Sequence, residues 1–572
     1  MQFYSNPSPE TWPALQQRSA ADEAPQVASR VRAIFEQVRV GGDAALLGIT
    51  AELDRANLSQ LLVSEAEFAV ARPLVPEALQ QAIRQARANI EAFHLAQREP
   101  EINVETMTGV ACSRRSVPVQ RVGLYVPGGT APLFSTLLML GVPARLAGCP
   151  EIVVCTPPQP DGSVSPVILF VAELLGISRV VKLGGAQAIA ALALGTATVP
   201  AVDKIFGPGN RYVTAAKQLA AAEWGVAIDM PAGPSEVLVI AGATATAAFV
   251  AADLLSQAEH GPDSQVIVLS DSAATLQQIQ AEVSLQLLAL PRREVAAQAL
   301  ANSRAILLPD EAAMLDFSNQ YAPEHLILAV DNAESLAAGV TNAGSVFLGH
   351  LTPEAVGDYA SGTNHTLPTN GYARQYSGVS LDSFVKKITF QRLSAAGLQA
   401  IAPVVETMAH AEGLIAHARA VAIRREMLEQ ADVAAATTPA AAPLVPPAPT
   451  AMPYAGLIRP NVARMQPYSS ARDEFEGLAA VMLDANENSL GSVGPENYSR
   501  YPDHTNAPLK PAWRPSKACI PTRFFWVMAP MRPLTCWCAL PAHQGRTALS
   551  FARPPTACMR WPPTSMTCVW SA

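Results

Sequence analysis

A chain of 572 residues, 49% of them apolar, is long enough to bury more than one core. Its formal net charge of −8 gives no general attraction to a phosphate backbone and argues against nucleic acid as a partner. No apolar run reaches the length of a bilayer span, and the opening Met1-Gln2-Phe3-Tyr4-Ser5 lacks the basic and then apolar layout of a signal peptide, so a cytoplasmic protein with no membrane partner is expected.

Before residue 100 the apolar pattern is mostly helical. From there to about 430, short β-branched runs alternate with helical stretches. Buried strands are expected at 152–155, 180–183, 236–240 and 265–269, and helices at 134–148, 164–176 and 243–258. Strands spaced by helices predict an α/β fold with parallel sheets. Residues 431–455 are almost all Ala, Pro and Thr and read as a partly extended linker. From 456 the composition is ordinary again, and after about 503 it changes abruptly.

Four polar clusters carry potential chemistry. Gln257-Ala258-Glu259-His260 closes an apolar helical run, and its spacing of three puts Gln257 and His260 on one helix face. Tyr321-Ala322-Pro323-Glu324-His325 offers an acid–imidazole pair beside a proline. The stretch from Gly357 to His365 is polar and glycine-rich, as site loops are. Glu412 and His417 lie late in a helical segment. A lone His is more often a packed or surface residue, and Gln is a poor metal ligand. The residues alone therefore reach an oxygen-and-nitrogen metal site in an α/β enzyme and stop there. Glycines at 123, 128–129, 184–185, 207 and 209 follow apolar runs, where backbone can approach a phosphate. None completes the G-x-G-x-x-G pattern, so plain tight turns explain them equally well on spacing.

Taken together and in order, the strings Arg121 to Thr130, Gly184 to Ala191, Asp203 to Asn210, Asp229 to Glu236, Leu254 to Asp263, Tyr321 to His325 and Gly357 to His365 resemble histidinol dehydrogenase. The resemblance runs nearly from the N-terminus to about 430. It implies two Rossmann-like domains without the usual fingerprint, helical N- and C-terminal segments, and a homodimer in which one subunit completes the other's site. It implies oxidation of L-histidinol to L-histidine through an aldehyde, with two NAD. Gln257, His260, Asp358 and His417 would hold one zinc per subunit, which grips the substrate. His325 would take the alcohol proton, and Glu324 would activate the water that hydrates the aldehyde. Ser235, Glu412 and His365 match further substrate contacts, alongside the four zinc ligands and His325. Tyr125, Gln187 and Asn210 match NAD contacts. Two rival readings are a related zinc and NAD dehydrogenase for another amino alcohol, and a non-catalytic metal- or nucleotide-binding protein.

The last fifth of the chain reads differently. Leu457 to Asn461, Leu483 to Asn488 and Tyr498 to Asp503 resemble the start of histidinol-phosphate aminotransferase, a PLP enzyme that needs a Schiff-base lysine. The last lysine is Lys517, so that activity is expected to be absent. Beyond Asp503 there is no Asp or Glu, while Cys519, Cys536, Cys538, Cys558 and Cys568 crowd together with five tryptophans. Joining the third base of each codon to the next two forces Leu at 525–526, Gly at 526–527 and 528–529, Leu at 536–537 and Val at 537–538. These choices fit an aminotransferase string. A change of reading frame between about 503 and 517, leaving an unstructured tail, is therefore expected. Sequencing the gene across those codons tests it: a single unbroken frame with no aminotransferase reading would sink it.

Overall fold

The computed structural model describes residues 1–18, 24–128, 133–231 and 233–437. The aminotransferase-like stretch, the tail and most of the linker lie outside the described residues. The helix Ile415–Thr437 runs through 431–437, where a spacer was expected, because Ala is the strongest helix former.

In chain order the strands are β1 (Gln2–Ser5), β2 (Ile102–Met107), β3 (Val110–Pro118), β4 (Arg121–Tyr125) and β5 (Glu151–Thr156). There follow β6 (Val180–Lys182), β7 (Lys204–Phe206), β8 (Ala227–Ile228), β9 (Glu236–Ala241) and β10 (Gln265–Ser270). Last come β11 (Arg304–Leu307), β12 (His325–Ala329), β13 (Ser345–Leu348) and β14 (Val385–Leu393). The expected helices appear as Phe134–Ala147, Pro166–Leu174 and Ala247–Ala258.

Two parallel sheets form. The first runs β6-β5-β4-β7-β8 and the second β1-β11-β10-β9-β12-β13. Each has its earliest βαβ strand at the centre, β4 or β9, and later strands added first on one side and then on the other. Each sheet is covered on both faces, as continuous apolar runs such as β9 and β10 require. Val122, Leu124, Ile152 and Val154 point into one layer, and Tyr125, Val153, Cys155 and Val181 into the opposite one. In the second sheet Val237 and Val239 face one layer, and Leu238 and Ile240 the other.

A third, antiparallel sheet, β14-β3-β2, is absent from the sequence reading. Its side chains are largely exposed, including Ile102, Val104, Ile388 and Phe390, so it shows no clean in–out alternation. From β14 the chain enters a hairpin of helices, Ala395–Ala411 and Ile415–Thr437, joined by an Arg425–Glu406 ion pair at 3.1 Å.

Where β4 and β7 diverge, Gly207 (φ 130°) lies so close to the Tyr125 carbonyl that a side chain has no room. A buried ion pair, Lys217–Asp229, braces this turn: Asp229 accepts from the Gly207 N–H at 2.8 Å, and Lys217 donates to the Gly207 carbonyl at 2.9 Å. Lys217→Met leaves Asp229 buried and unpaired and is expected to cost about 3–5 kcal/mol. A lower urea midpoint reads this out, and Asp229→Asn in the same background should recover part of it; no change in midpoint would mean that the pair does not brace the turn.

Candidate active site

The second sheet gathers its polar groups at the N-terminal ends of β9 and β12. The helix 311–321 ends on Ala322, a non-glycine residue in the left-handed region (φ 55°), and Pro323 then feeds the chain into β12. This turn sets Glu324 and His325, both buried, opposite the first residues of β9. Their partner is the Glu236 peptide unit. Its N–H donates to Glu324 Oε2 at 2.9 Å, and its carbonyl faces His325 Nδ1 at 3.3 Å.

A carbonyl can only accept, so His325 Nδ1 carries the proton in the neutral ring and Nε2 is left as the basic nitrogen. Among the described residues Nε2 is buried without a hydrogen-bond partner, and the nearest acid is Asp358, with Oδ1 at 3.6 Å. The Glu236 carboxylate is held by Arg18 at 2.6 Å and by the Tyr321 hydroxyl at 2.7 Å.

The helix Ala247–Ala258 packs Val250, Ala251, Leu254, Leu255 and Ala258 on the sheet, and that same face buries Gln257 completely. The Glu236 N–H can only donate, so Gln257 turns Oε1 toward it at 3.1 Å and Nε2 toward Glu354. His260 follows at the exposed rim. Glu354 and Asp358 lie one turn apart on the helix Glu354–Tyr359. Donor atoms of His260, Glu354 and Asp358 all lie within 4.8 Å of one another, a geometry that can hold a metal ion.

The electrostatics are unbalanced. Burial pushes Glu354 up to about 8, with Asp358, Glu324 and Asp253 adding to it. Burial likewise raises Glu324 to about 8. Burial opposes a charged His325, yet Glu354, Glu324 and Asp358 overcome it and raise its pKa. Burial lowers His365. Asp358 stays low against its own burial because His325, His365 and His260 surround it.

The structure thus brings together Glu324, His325, Gln257, His260 and Asp358. His365 joins them, its Nδ1 at 2.9 Å from the Asp358 carbonyl and its Nε2 at 3.3 Å from Thr136 Oγ1. Ser235 immediately precedes β9, beside the Glu236 peptide. Glu412 and His417 do not join: they lie exposed on the C-terminal hairpin, outside the metal-competent cluster. Glu354 was missed by sequence reasoning, although its spacing of four from Asp358 puts the two on one helix face.

At the first sheet, Tyr125 is buried and its hydroxyl accepts from the Gly185 N–H at 3.1 Å. Gln187 is 1% exposed and donates to Asp54 at 3.1 Å, and Asn210 caps the helix Arg211–Trp224. All three lie at the C-terminal edge of the sheet, the end where open parallel sheets take ligands.

The family model described as histidinol dehydrogenase matches residues 16–425. A histidinol dehydrogenase of Bacteroides thetaiotaomicron is 54% identical over 429 residues, 75% of this chain and 100% of the relative. One from Xylella fastidiosa is 58% identical over 407 residues, 71% of this chain and 94% of the relative. The crystal structure of histidinol dehydrogenase from Elizabethkingia anophelis superposes with a TM-score of 0.72 at 54% identity, covering 75% of this chain and 99% of that one.

If Glu354 orients the Gln257 amide, Glu354→Gln lowers affinity for a divalent cation about 10- to 100-fold without abolishing it. Competition with a chelator measures this; complete loss of binding would make Glu354 a direct ligand.

Proposed function

The chain belongs to the histidinol dehydrogenase family and oxidises L-histidinol to L-histidine in histidine biosynthesis, and from that premise we propose which of its residues carry the reaction. The observation that carries the assignment is a metal-competent cluster set beside a buried imidazole whose Nε2 has no hydrogen-bond partner among the described residues. The nitrogen and oxygen donors fit zinc, and the excess of buried acid fits a dication. Gln257, His260 and Asp358 would hold it. When bound, zinc supplies a charged anchor for the substrate imidazole and amine, and NAD supplies the hydride acceptor for each oxidation.

His325 Nε2 takes the alcohol proton while the Glu236 carbonyl holds its tautomer. Glu324, at 3.7 Å from His325 Nδ1, takes a proton from the water that adds to the aldehyde. Ser235 and His365 line the substrate side. Tyr125, Gln187 and Asn210 belong to the NAD site, and the strand order of the two parallel sheets supports a Rossmann-like reading of both.

The fourth zinc ligand, His417, and the substrate contact Glu412 come from a second copy of the chain in a homodimer. Their exposure on the hairpin, beside exposed Val404, Met408, Leu414 and Ile415, supports this. The residues from 438 on are proposed to be dispensable: truncation at about 435 keeps activity.

Zinc-loaded enzyme is expected to yield two NADH per L-histidinol, with the product lost on chelation and regained with zinc. Glu324→Gln should lower the second oxidation by about 10²–10⁴-fold and move the yield toward one NADH per histidinol. An unchanged yield would remove Glu324 from that role. His417→Ala and His325→Gln, each inactive alone, should regain about a quarter of wild-type activity when mixed, since half the dimers are mixed and each holds one intact site. No recovery from mixed dimers would place His417 in its own subunit's site.

A further inference from the structure

The first sheet carries an acid that the proposed reaction does not use. Asp54 directly follows the helix Ala24–Leu53. A methyl group at Gly184 would come within 2.9 Å of Asp54 Oδ1 and 2.7 Å of the Pro157 side chain. Pro157 also packs on Gly128. Gly128, Pro157 and Gly184 follow β4, β5 and β6 respectively, so the carboxylate stands where three neighbouring strands end.

That position is unfavourable for an acid on structural grounds alone. It lies at the negative end of a helix dipole. Burial pushes its pKa up to about 6, against the opposing Gln187 hydrogen bond. Arg55, in the left-handed region (φ 57°), breaks the helix directly after it. The side chain remains partly exposed, whereas Gln187 behind it is buried, its Oε1 without a partner among the described residues. Gln187 therefore meets a ligand at this edge through Asp54 and acts as a positioning residue.

In sheets of this strand order an acid at the end of the second strand holds the ribose of a bound dinucleotide. Here the second strand, β5, ends Cys155-Thr156-Pro157-Pro158, with no acid. Asp54 fills the vacant place from a different element. We propose that Asp54 accepts hydrogen bonds from the vicinal hydroxyls of the cofactor's adenosine ribose, and that its charge excludes a cofactor phosphorylated at the 2′ position. The chemistry is selective. A diol brings two donors to a carboxylate, whereas a 2′-phosphate brings negative charge and acceptors only. The inference rests on the proposed NAD site.

The test uses full-length, zinc-loaded enzyme carrying Asp54→Ser, Asp54→Asn, Gln187→Ala or Asn210→Ala, assayed with NAD and with NADP. Asp54→Ser should raise the NAD KM by about 10- to 100-fold, the loss expected for one charged hydrogen bond, with kcat and the histidinol KM unchanged. Its ratio of kcat/KM for NADP over NAD should rise at least about tenfold. Asp54→Asn, which loses the charge but keeps one acceptor, should gain most with NADP. Gln187→Ala should follow the same KM pattern more weakly. If Asn210→Ala raises the NAD KM and the Asp54 variants change neither NAD nor NADP use, the inference fails while the NAD site stands. If none of the four changes the NAD KM, the NAD site lies elsewhere and both fail. Equal losses in NAD KM, histidinol KM and zinc content in Asp54→Ser would reduce Asp54 to a structural role and overturn the inference.

Discussion

One peptide unit, that of Glu236, organises the candidate active site. Its N–H is shared between Glu324 and the Gln257 amide, and its carbonyl fixes the tautomer of His325. Three side chains, from one strand, the turn before it and a helix, thus take their positions from a single group at the start of the central strand. That group is itself immobilised, because the Glu236 side chain is locked by Arg18 and Tyr321 in a buried network. A charged network of this kind holds geometry only if every member is satisfied. Arg18 provides this: besides the carboxylate it donates to the Tyr321 carbonyl at 2.9 Å and stacks over the Tyr321 ring at 3.9 Å. The left-handed Ala322 lies within the same turn, and strain there persists because the turn is held on both sides.

The same compactness creates an electrostatic problem. Glu324, Glu354 and Asp358 surround one imidazole, and burial penalises each charge. Without further positive charge, the carboxylates keep His325 protonated, the wrong form for a base. A dication held by His260 and Asp358 would offset that field and favour the neutral ring of His325.

Much of this was legible in the sequence. Apolar β-branched runs marked β5, β6, β9 and β10, because strands buried on both faces leave a continuous signal. The exposed sheet β14-β3-β2 left none, since neither of its faces is buried against this chain's core. The Ala-rich stretch at 431–437 was misread because Pro and Thr nearby outweighed the helix propensity of Ala. In the site, polar residues clustered in sequence were found, and residues that act only through space were not. Arg18 lies far in the chain from Glu236 and Tyr321, which it joins, and Asp54 precedes its partner Gln187 by more than a hundred positions. Glu412 and His417 were named by resemblance, and nothing within one chain accounts for them.

The two parallel sheets use opposite edges. The first presents Tyr125, Asp54 and Asn210 at the C-terminal ends of its strands, the usual ligand edge of an open parallel sheet. The second presents Glu324, His325 and the Glu236 peptide at the N-terminal ends of β12 and β9. A hydride moves between atoms about 3–3.5 Å apart, so a nucleotide held by one sheet and a substrate held by the other react only if these edges face one another. Two neighbouring residues tie the sides: Asn364 donates to the Met139 carbonyl at 2.6 Å, and His365, fixed on the Asp358 carbonyl, reaches Thr136 in the first turn of the helix that follows β4. That turn lies just beyond the glycine loop, and the Asp358 helix carries the metal-competent acids. His365 thus bridges the helix that follows β4 and the Asp358 carbonyl, next to the acids that could hold a metal.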